Sequence, residues 1–142
     1  MFGTCIVFVM SDDRISKNAG AVFTLKYHIV WCPKYRRPVL VGKIESRFKA
    51  LIKAKAKEIE ATLHAFEVMP DHVHLFIESD PRWSVAEIVN RLKGFTSHVL
   101  RQEFRSLRSR LPTLWSRSYY AATIGSVSDD AIKRYIDGQK GK

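Results

Sequence analysis

The chain has 142 residues, of which 46% are hydrophobic and 27% are charged, so one folded domain is expected and a disordered, collagen-like or disulfide-scaffold protein is excluded. Lysine and arginine number 24 and aspartate and glutamate 14, which gives a formal net charge of +10. This excess favours a polyanionic partner, with nucleic acid first. Cys5 and Cys32 show no metal-site or disulfide-framework spacing, which favours a reducing compartment.

The chain begins with a short apolar run at residues 5–10, followed by a polar stretch. The run is much shorter than the ~20 residues that span a bilayer, and it lacks the basic leader and cleavage site of a secretory signal. We therefore expect a cytoplasmic protein without a membrane partner, with a poorly ordered leader at residues 1–20 and a single domain at residues 21–142. The alternative is that residues 4–10 form an edge strand.

The spacing of apolar residues and the turn-forming residues predict the elements of the first half of the domain. In chain order, they are a strand at 22–31, a loop at 33–38, a helix at 43–60, a strand at 62–69, a turn at Pro70 and Asp71, and a strand at 72–78. The short turn predicts that the last two strands form a hairpin.

A capping box opens the second half, because Ser84 is followed three residues later by Glu87. It predicts a long helix that buries apolar side chains out to Phe104 and ends before Pro112. The remaining predicted elements are a strand at 119–124, a flexible joint at Gly125 and Ser126, and a short helix capped by Ser128.

The predicted order is β-α-β-β-α-β plus a terminal helix. This order is typical of an α+β fold of the ferredoxin-like or RRM-like kind, in which an antiparallel sheet carries helices on one face. The fold alone does not define a function, because it supports many activities.

His72, Val73 and His74 give the first chemical signal. Alternate side chains of a strand point to the same face, so the two histidines share a face. Their Cα atoms are about 6.5 Å apart at ~3.3 Å per residue. Two imidazoles can bind one metal ion, and by themselves they favour zinc or another transition metal over magnesium. A third ligand must come from elsewhere. The alternative is that both are ordinary sheet-surface residues.

In the last predicted helix, Tyr135 and Gln139 are four residues apart and therefore share a face. Gln139 can offer a carbonyl oxygen to a hard cation, and Tyr135 can offer a phenol oxygen to a phosphorus atom. On periodicity alone, an amphipathic packing seam that includes both residues is the stronger interpretation.

Three motifs follow one another along the chain. They are residues 27–37 (Tyr-His-Ile-Val-Trp-Cys-Pro-Lys-Tyr-Arg-Arg), residues 69–75 (Met-Pro-Asp-His-Val-His-Leu) and the late pair Tyr135 and Gln139. Together they resemble the single-tyrosine HUH transposases, the single-strand DNA transposases of the smallest bacterial and archaeal insertion sequences. The resemblance extends from about residue 22 to residue 139.

The resemblance implies that Tyr135 is the nucleophile and that His72, His74 and Gln139 hold Mg²⁺ or Mn²⁺. The implied ion therefore differs from the zinc that two imidazoles alone would favour. The implied reaction is cleavage and rejoining of single-stranded DNA, at hairpin-bearing ends of an insertion sequence, through a 5′-phosphotyrosine intermediate. The implied assembly is a homodimer in which the tyrosine helix of one subunit can complete the site of the other, with Gly125-Ser126 as the hinge.

Basic and aromatic residues are predicted to bind the DNA. They are Lys34, Tyr35, Arg36 and Arg37 in the proline-bounded loop, and Arg47, Lys53, Lys93, Arg101 and Arg105 on the two long helices. The alternative for each cation is a solvated helix face. The sequence contains no phosphate-binding loop or dinucleotide fingerprint, so no nucleotide cofactor is expected.

Three other functions fit parts of these observations. A domesticated relative would cut repetitive hairpins without moving an element. A non-catalytic module would bind single strands or RNA on the same sheet topology. A zinc hydrolase would use His72 and His74, with Glu78 as the one carboxylate that could share their face.

Overall fold

Four antiparallel strands form the central sheet of the computed structural model, which describes residues 16–18, 21–23, 25–123 and 129–141. The elements are β1 (Ser16–Asn18), β2 (Ala21–Phe23), β3 (Lys26–Trp31), a 3-10 turn (Lys34–Arg36), α1 (Gly42–Glu58), β4 (Thr62–Met69), β5 (His72–Glu78), α2 (Val85–Glu103), α3 (Arg105–Arg110), β6 (Tyr120–Thr123) and α4 (Asp129–Gly138).

The strand order of the sheet is β4-β5-β3-β6, and every neighbouring pair is antiparallel. This is the ferredoxin-like arrangement, so the predicted fold class is confirmed. A separate pair, β1 and β2, is also antiparallel. Strand β1 lies inside the predicted leader, and the other residues of that leader lie outside the described part, so the division at residue 20 stays a prediction.

One face of the sheet packs against α1 and α2 and forms the main core. Burial of each large apolar side chain there stabilises the fold by about 1.5–3 kcal/mol. The core members include Ile29, Trp31, Val73, Leu75 and Ile77 from the sheet and Phe48, Leu51, Ile52, Ile88, Val89 and Leu92 from the two helices.

The opposite face of the sheet meets α4. Val30 of β3 packs against Ile136 of that helix, and the rings of Tyr120 and Tyr135 lie against this pair. Since Val30 is also paired in register with His74 of β5, the helix that carries Tyr135 lies on the same face of the sheet as the two histidines.

Two boundaries differ from the prediction. The predicted strand at 22–31 is divided into β2 and β3. The second long helix ends before Phe104, whose extended backbone (φ −121°, ψ 102°) interrupts the helix, and α3, which was not predicted, begins at Arg105. The capping box is present, because Ser84 and Glu87 exchange both of its hydrogen bonds. No helix in the described residues is long and apolar enough to cross a membrane.

Candidate active site

Strand β5 places His72 and His74 side by side. Their ring centroids are 5.0 Å apart and their planes are 78° to each other. The expected shared face is therefore correct. The alternative, that both are ordinary sheet-surface residues, is wrong, because His72 is 4% and His74 2% exposed. Both faces of β5 are buried, whereas a strand in an antiparallel sheet with one solvent-facing side would bury only one face.

Each histidine has a partner for its Nδ1 atom. His72 Nδ1 lies 2.8 Å from Asp71 Oδ1, and a carboxylate only accepts, so Nδ1 carries a proton. His74 Nδ1 lies 3.1 Å from Nε2 of His28, whose ring stacks on Phe76 at 4.2 Å. Partners of this kind orient histidines that bind metals.

Burial keeps two of these imidazoles neutral. Burial, followed by the proximity of His72 and His28, lowers the pKa of His74 to about 3. Burial alone lowers the pKa of His28 to about 4. Near pH 7 both rings are therefore uncharged, which is the form that binds a metal ion.

These depressed pKa values predict that the metal-free protein loses stability in acid. The unfolded chain, with a histidine pKa of about 6.5, binds protons more readily than the folded one. Stability is therefore complete above about pH 6.5 and decreases as the pH falls toward the folded values near 4 and 3, by up to about 1.4 kcal/mol per pH unit for each histidine. Urea unfolding at several pH values measures this slope.

The variant His28→Phe removes one of the two titrating rings and should make the slope shallower. The exposed His98 on α2 provides the control, since His98→Gln should retain the wild-type slope. An unchanged slope in His28→Phe contradicts the assignment of acid sensitivity to this cluster.

Tyr135 and Gln139 meet at Ser118. The Ser118 hydroxyl donates to Gln139 Oε1 at 3.0 Å and lies 3.1 Å from the phenol oxygen of Tyr135. Because the single hydroxyl proton of Ser118 points to Gln139, the phenol is the donor in the second contact. Gln139 Oε1 also accepts from Ser116 at 2.8 Å. Burial raises the pKa of Tyr135 to about 12, against a smaller lowering effect of the Ser118 bond.

A cavity of about 600 Å³ opens beside the phenol. Two cations, Lys34 and Arg117, lie in its wall, so it suits a phosphate group next to Tyr135. The full lining is Lys34, Ser116, Arg117, Ser118, Tyr119, Tyr135 and Gln139.

The histidine pair lies outside this cavity wall. The predicted metal ligands are thus in two groups, the imidazoles of β5 and the amide of Gln139, whose oxygen already accepts from two serines. Within the described part of the chain, no group of three or more histidines, cysteines or carboxylates is arranged to hold a metal.

The predicted DNA-binding residues divide into exposed and engaged side chains. Tyr35, Arg37, Lys53 and Arg105 are exposed, and Lys34 lines the cavity beside Tyr135. The engaged ones are Arg36 with Asp71 and Asp137, Arg47 with both carboxylate oxygens of Glu103, Lys93 with the carbonyls of Ser116 and Ser118, and Arg101 with the carbonyl of Leu111.

Lys93 contacts the backbone of the segment that contributes Ser116 and Ser118 to the cavity beside Tyr135. Its ammonium group donates to the backbone oxygens of Ser116 at 2.6 Å and Ser118 at 3.1 Å, and burial lowers its pKa to about 8. Lys93 thereby fixes the segment whose hydroxyls contact Tyr135 and Gln139. The predicted hinge at Gly125 and Ser126 lies outside the described residues.

Sequence reasoning missed five residues of this region. They are His28, Asp71, Ser116, Arg117 and Ser118. Two of them could have been found from the sequence, because Asp71 directly precedes the histidine motif and His28 falls in a predicted strand. The rival hydrolase base, Glu78, does share the histidine face, but it pairs with His64 at 2.9 Å.

Residues 21–139 match the family model of IS200-like transposases. The ISDra2 transposase TnpA of Deinococcus radiodurans is 32% identical to this chain over 139 residues, which cover 96% of this chain and 99% of that protein. The crystal structure of a candidate transposase from D. radiodurans R1 is similar to this chain, with a TM-score of 0.82 and 32% sequence identity. The matched region covers 89% of this chain and 99% of the D. radiodurans chain. A REP-associated tyrosine transposase bound to a REP hairpin shares the fold, with a TM-score of 0.54 and 11% identity over 86% of this chain and 68% of that one.

Proposed function

The chain belongs to the family of IS200-like transposases, and on that premise we propose that it cleaves and rejoins single-stranded DNA through a 5′-phosphotyrosine intermediate. One observation supports this more than any other. The phenol of Tyr135 lies at a cavity of about 600 Å³ that is flanked by Lys34 and Arg117, as a nucleophile that receives a phosphodiester requires.

In the proposed reaction the phenol oxygen of Tyr135 attacks the scissile phosphorus. A bond forms between that oxygen and phosphorus, and the bond from phosphorus to the 3′ oxygen breaks. The phenol loses its proton and the leaving oxygen gains one, so a free 3′-OH results. The covalent link conserves the phosphodiester, and a second 3′-OH can reverse the step on another strand without ATP.

The surroundings of Tyr135 control its proton. The phenol donates to Ser118, and burial raises its pKa to about 12, so it is protonated at neutral pH before substrate binds. The two cations in the cavity wall, Lys34 and Arg117, would lower the cost of forming the phenolate, because a nearby opposite charge favours the charged form of an acid.

The substrate in this proposal is a hairpin-bearing end of a mobile element. The fold neighbour bound to a REP hairpin supports a hairpin ligand, and the net charge of +10 supports a polyanion. The exposed Tyr35, next to Lys34 and Arg37, offers an aromatic ring for base stacking beside two cations.

The family's divalent ion fits the histidine pair. Both Nδ1 atoms have polar partners, so binding through Nε2 keeps those contacts, provided that His74 donates to His28. His72 and His74 would hold Mg²⁺ or Mn²⁺, with Gln139 as the third ligand. When bound, the ion supplies Lewis-acid stabilisation of the scissile phosphate, which is worth several kcal/mol.

Gln139 would have to exchange its bonds with Ser116 and Ser118 to join the imidazoles. In a homodimer, α4 of the partner subunit could supply the same amide, so the proposal includes a dimer with shared sites.

We expect DNA binding to weaken steeply with salt, with a slope of log K against log salt of about −0.7 for each phosphate contacted on a single strand. Removing one contact with Lys34→Ala should make the slope shallower by about 0.7. Lys49, which pairs with Glu45 on α1, is a matched control, and Lys49→Ala should keep the wild-type slope. Fluorescence anisotropy with a labelled hairpin oligonucleotide measures both. Binding that is insensitive to salt contradicts phosphate contacts.

The proposed function is tested by incubating the protein with single-stranded element ends and Mn²⁺ or Mg²⁺. A denaturing gel should then show a protein–DNA conjugate and a fragment with a free 3′-OH. Binding without cleavage under every divalent ion would favour the non-catalytic module instead.

A further inference from the structure

The guanidinium group of Arg36 contacts two separate parts of the site. Its Nη1 atom donates to the carbonyl oxygen of Ile136 at 3.2 Å and lies 3.4 Å from Asp137 Oδ1. Its Nε atom pairs with Asp71 Oδ2 at 3.1 Å. The Arg36 side chain is 19% and that of Asp71 29% exposed, so this ion pair is partly shielded from water and is less screened than a surface ion pair. The Asp137 side chain is 66% exposed, so its contact with Arg36 is screened more.

Asp71 carries the connection on to the histidines. One of its oxygens binds Arg36 and the other lies 2.8 Å from Nδ1 of His72. Arg36 therefore links the backbone of α4, one residue after Tyr135, to a metal-ligand candidate of β5 through a single carboxylate.

The loop that presents Arg36 has an unusual backbone. Tyr35 and Arg36 both have positive φ angles, 60° and 55°, which side chains other than glycine rarely adopt. Such conformations persist where their surroundings hold them. Here Lys34 donates its backbone N–H to Leu114 at 2.8 Å, and Pro33 forms a β-bridge with Trp115.

We propose that Arg36 is a positioning residue that locks α4, the helix that carries Tyr135, to the turn at Asp71 that precedes His72. This inference rests on the proposed function and adds to it how α4, which carries Tyr135, is held against the turn that precedes the histidines. It replaces the interpretation of Arg36 as a phosphate contact, because its Nε and Nη1 atoms already face acceptors. The exposed neighbour Arg37 keeps that phosphate-binding role.

The first test needs neither metal nor DNA. In Arg36→Ala, amide hydrogen exchange of α4 should be at least tenfold faster than in the wild type, while exchange in α1 and α2 stays unchanged. Arg82, an exposed arginine paired with Asp80 at 3.0 Å before α2, gives the matched control, and Arg82→Ala should leave α4 as protected as in the wild type. Wild-type protection of α4 in Arg36→Ala would overturn the lock.

The second test separates positioning from DNA binding. With hairpin DNA, Arg36→Ala should lower the single-turnover cleavage rate at saturating DNA at least tenfold, with Kd within twofold of wild type. Arg37→Ala should instead raise Kd. Millimolar guanidinium, below unfolding concentrations, should restore part of the cleavage rate that Arg36→Ala loses. The variant Arg36→Lys should cleave more slowly than the wild type, because an ammonium group lacks the planar fork of a guanidinium group. A raised Kd with a wild-type saturated rate in Arg36→Ala would overturn the proposal.

The two tests also separate this inference from the proposed function. If the wild-type protein forms no conjugate with DNA, the proposed function fails, while the exchange experiment still decides whether Arg36 holds α4. If the conjugate forms and exchange in Arg36→Ala is unaltered, only the lock fails.

Discussion

Replacing Tyr135 with phenylalanine should abolish the covalent protein–DNA conjugate and leave the fold and DNA binding intact. Phenylalanine keeps the ring that packs with Tyr120 at 6.1 Å and against Val30 and Ile136. It loses the hydroxyl and its bond to the exposed side chain of Ser118, which contributes about 1 kcal/mol or less to stability. Without the oxygen no phosphotyrosine can form, so conjugate yield should fall at least 10³-fold on a denaturing gel.

Tyr120→Phe is the matched control, because Tyr120 lies beside Tyr135 but outside the cavity that its phenol faces. This variant should form the conjugate at the wild-type rate. Mass spectrometry of the digested conjugate should place the nucleotide on Tyr135. A conjugate that persists in Tyr135→Phe and disappears in Tyr120→Phe would transfer the nucleophile to the other tyrosine.

The local elements of the site were predictable from sequence because their signals are local. The alternation of His72, Val73 and His74 placed both imidazoles on one face, and the spacing of Tyr135 and Gln139 placed both on one side of the last helix. The capping box at Ser84 marked the start of α2 for the same reason. Each of these inferences needs only the geometry of a single element.

The surroundings of these residues were not predictable, because they depend on contacts between distant parts of the chain. Burial of the histidines requires cover on the second face of the sheet, which periodicity within β5 does not reveal. Ser118 reaches Tyr135 across 17 residues and Arg36 reaches Asp137 across 101. A cation in a loop is equally compatible with a phosphate and with a carboxylate, so charge alone assigned Arg36 to the DNA.

Removing either imidazole should abolish metal binding as well as cleavage. We expect His72→Ala and His74→Ala to lose Mn²⁺ affinity at least 100-fold in calorimetric titrations, since each removes one of few ligands. Both side chains are buried, so each substitution also costs about 1–3 kcal/mol of stability, and binding must be measured well below the melting temperature. His98→Ala, an exposed histidine on α2, should bind Mn²⁺ as the wild type does.

Asp71→Asn distinguishes metal binding from a structural role of these histidines. It retains nearly the shape of the aspartate but weakens the acceptor that holds His72 Nδ1 at 2.8 Å, and loss of such a partner costs 10–100-fold in metal affinity. If the histidines bind the ion, Mn²⁺ affinity should fall in Asp71→Asn by this smaller factor. If His72→Ala and His74→Ala both retain wild-type Mn²⁺ affinity, the imidazoles serve packing alone and the ion that assists Tyr135 must be held elsewhere.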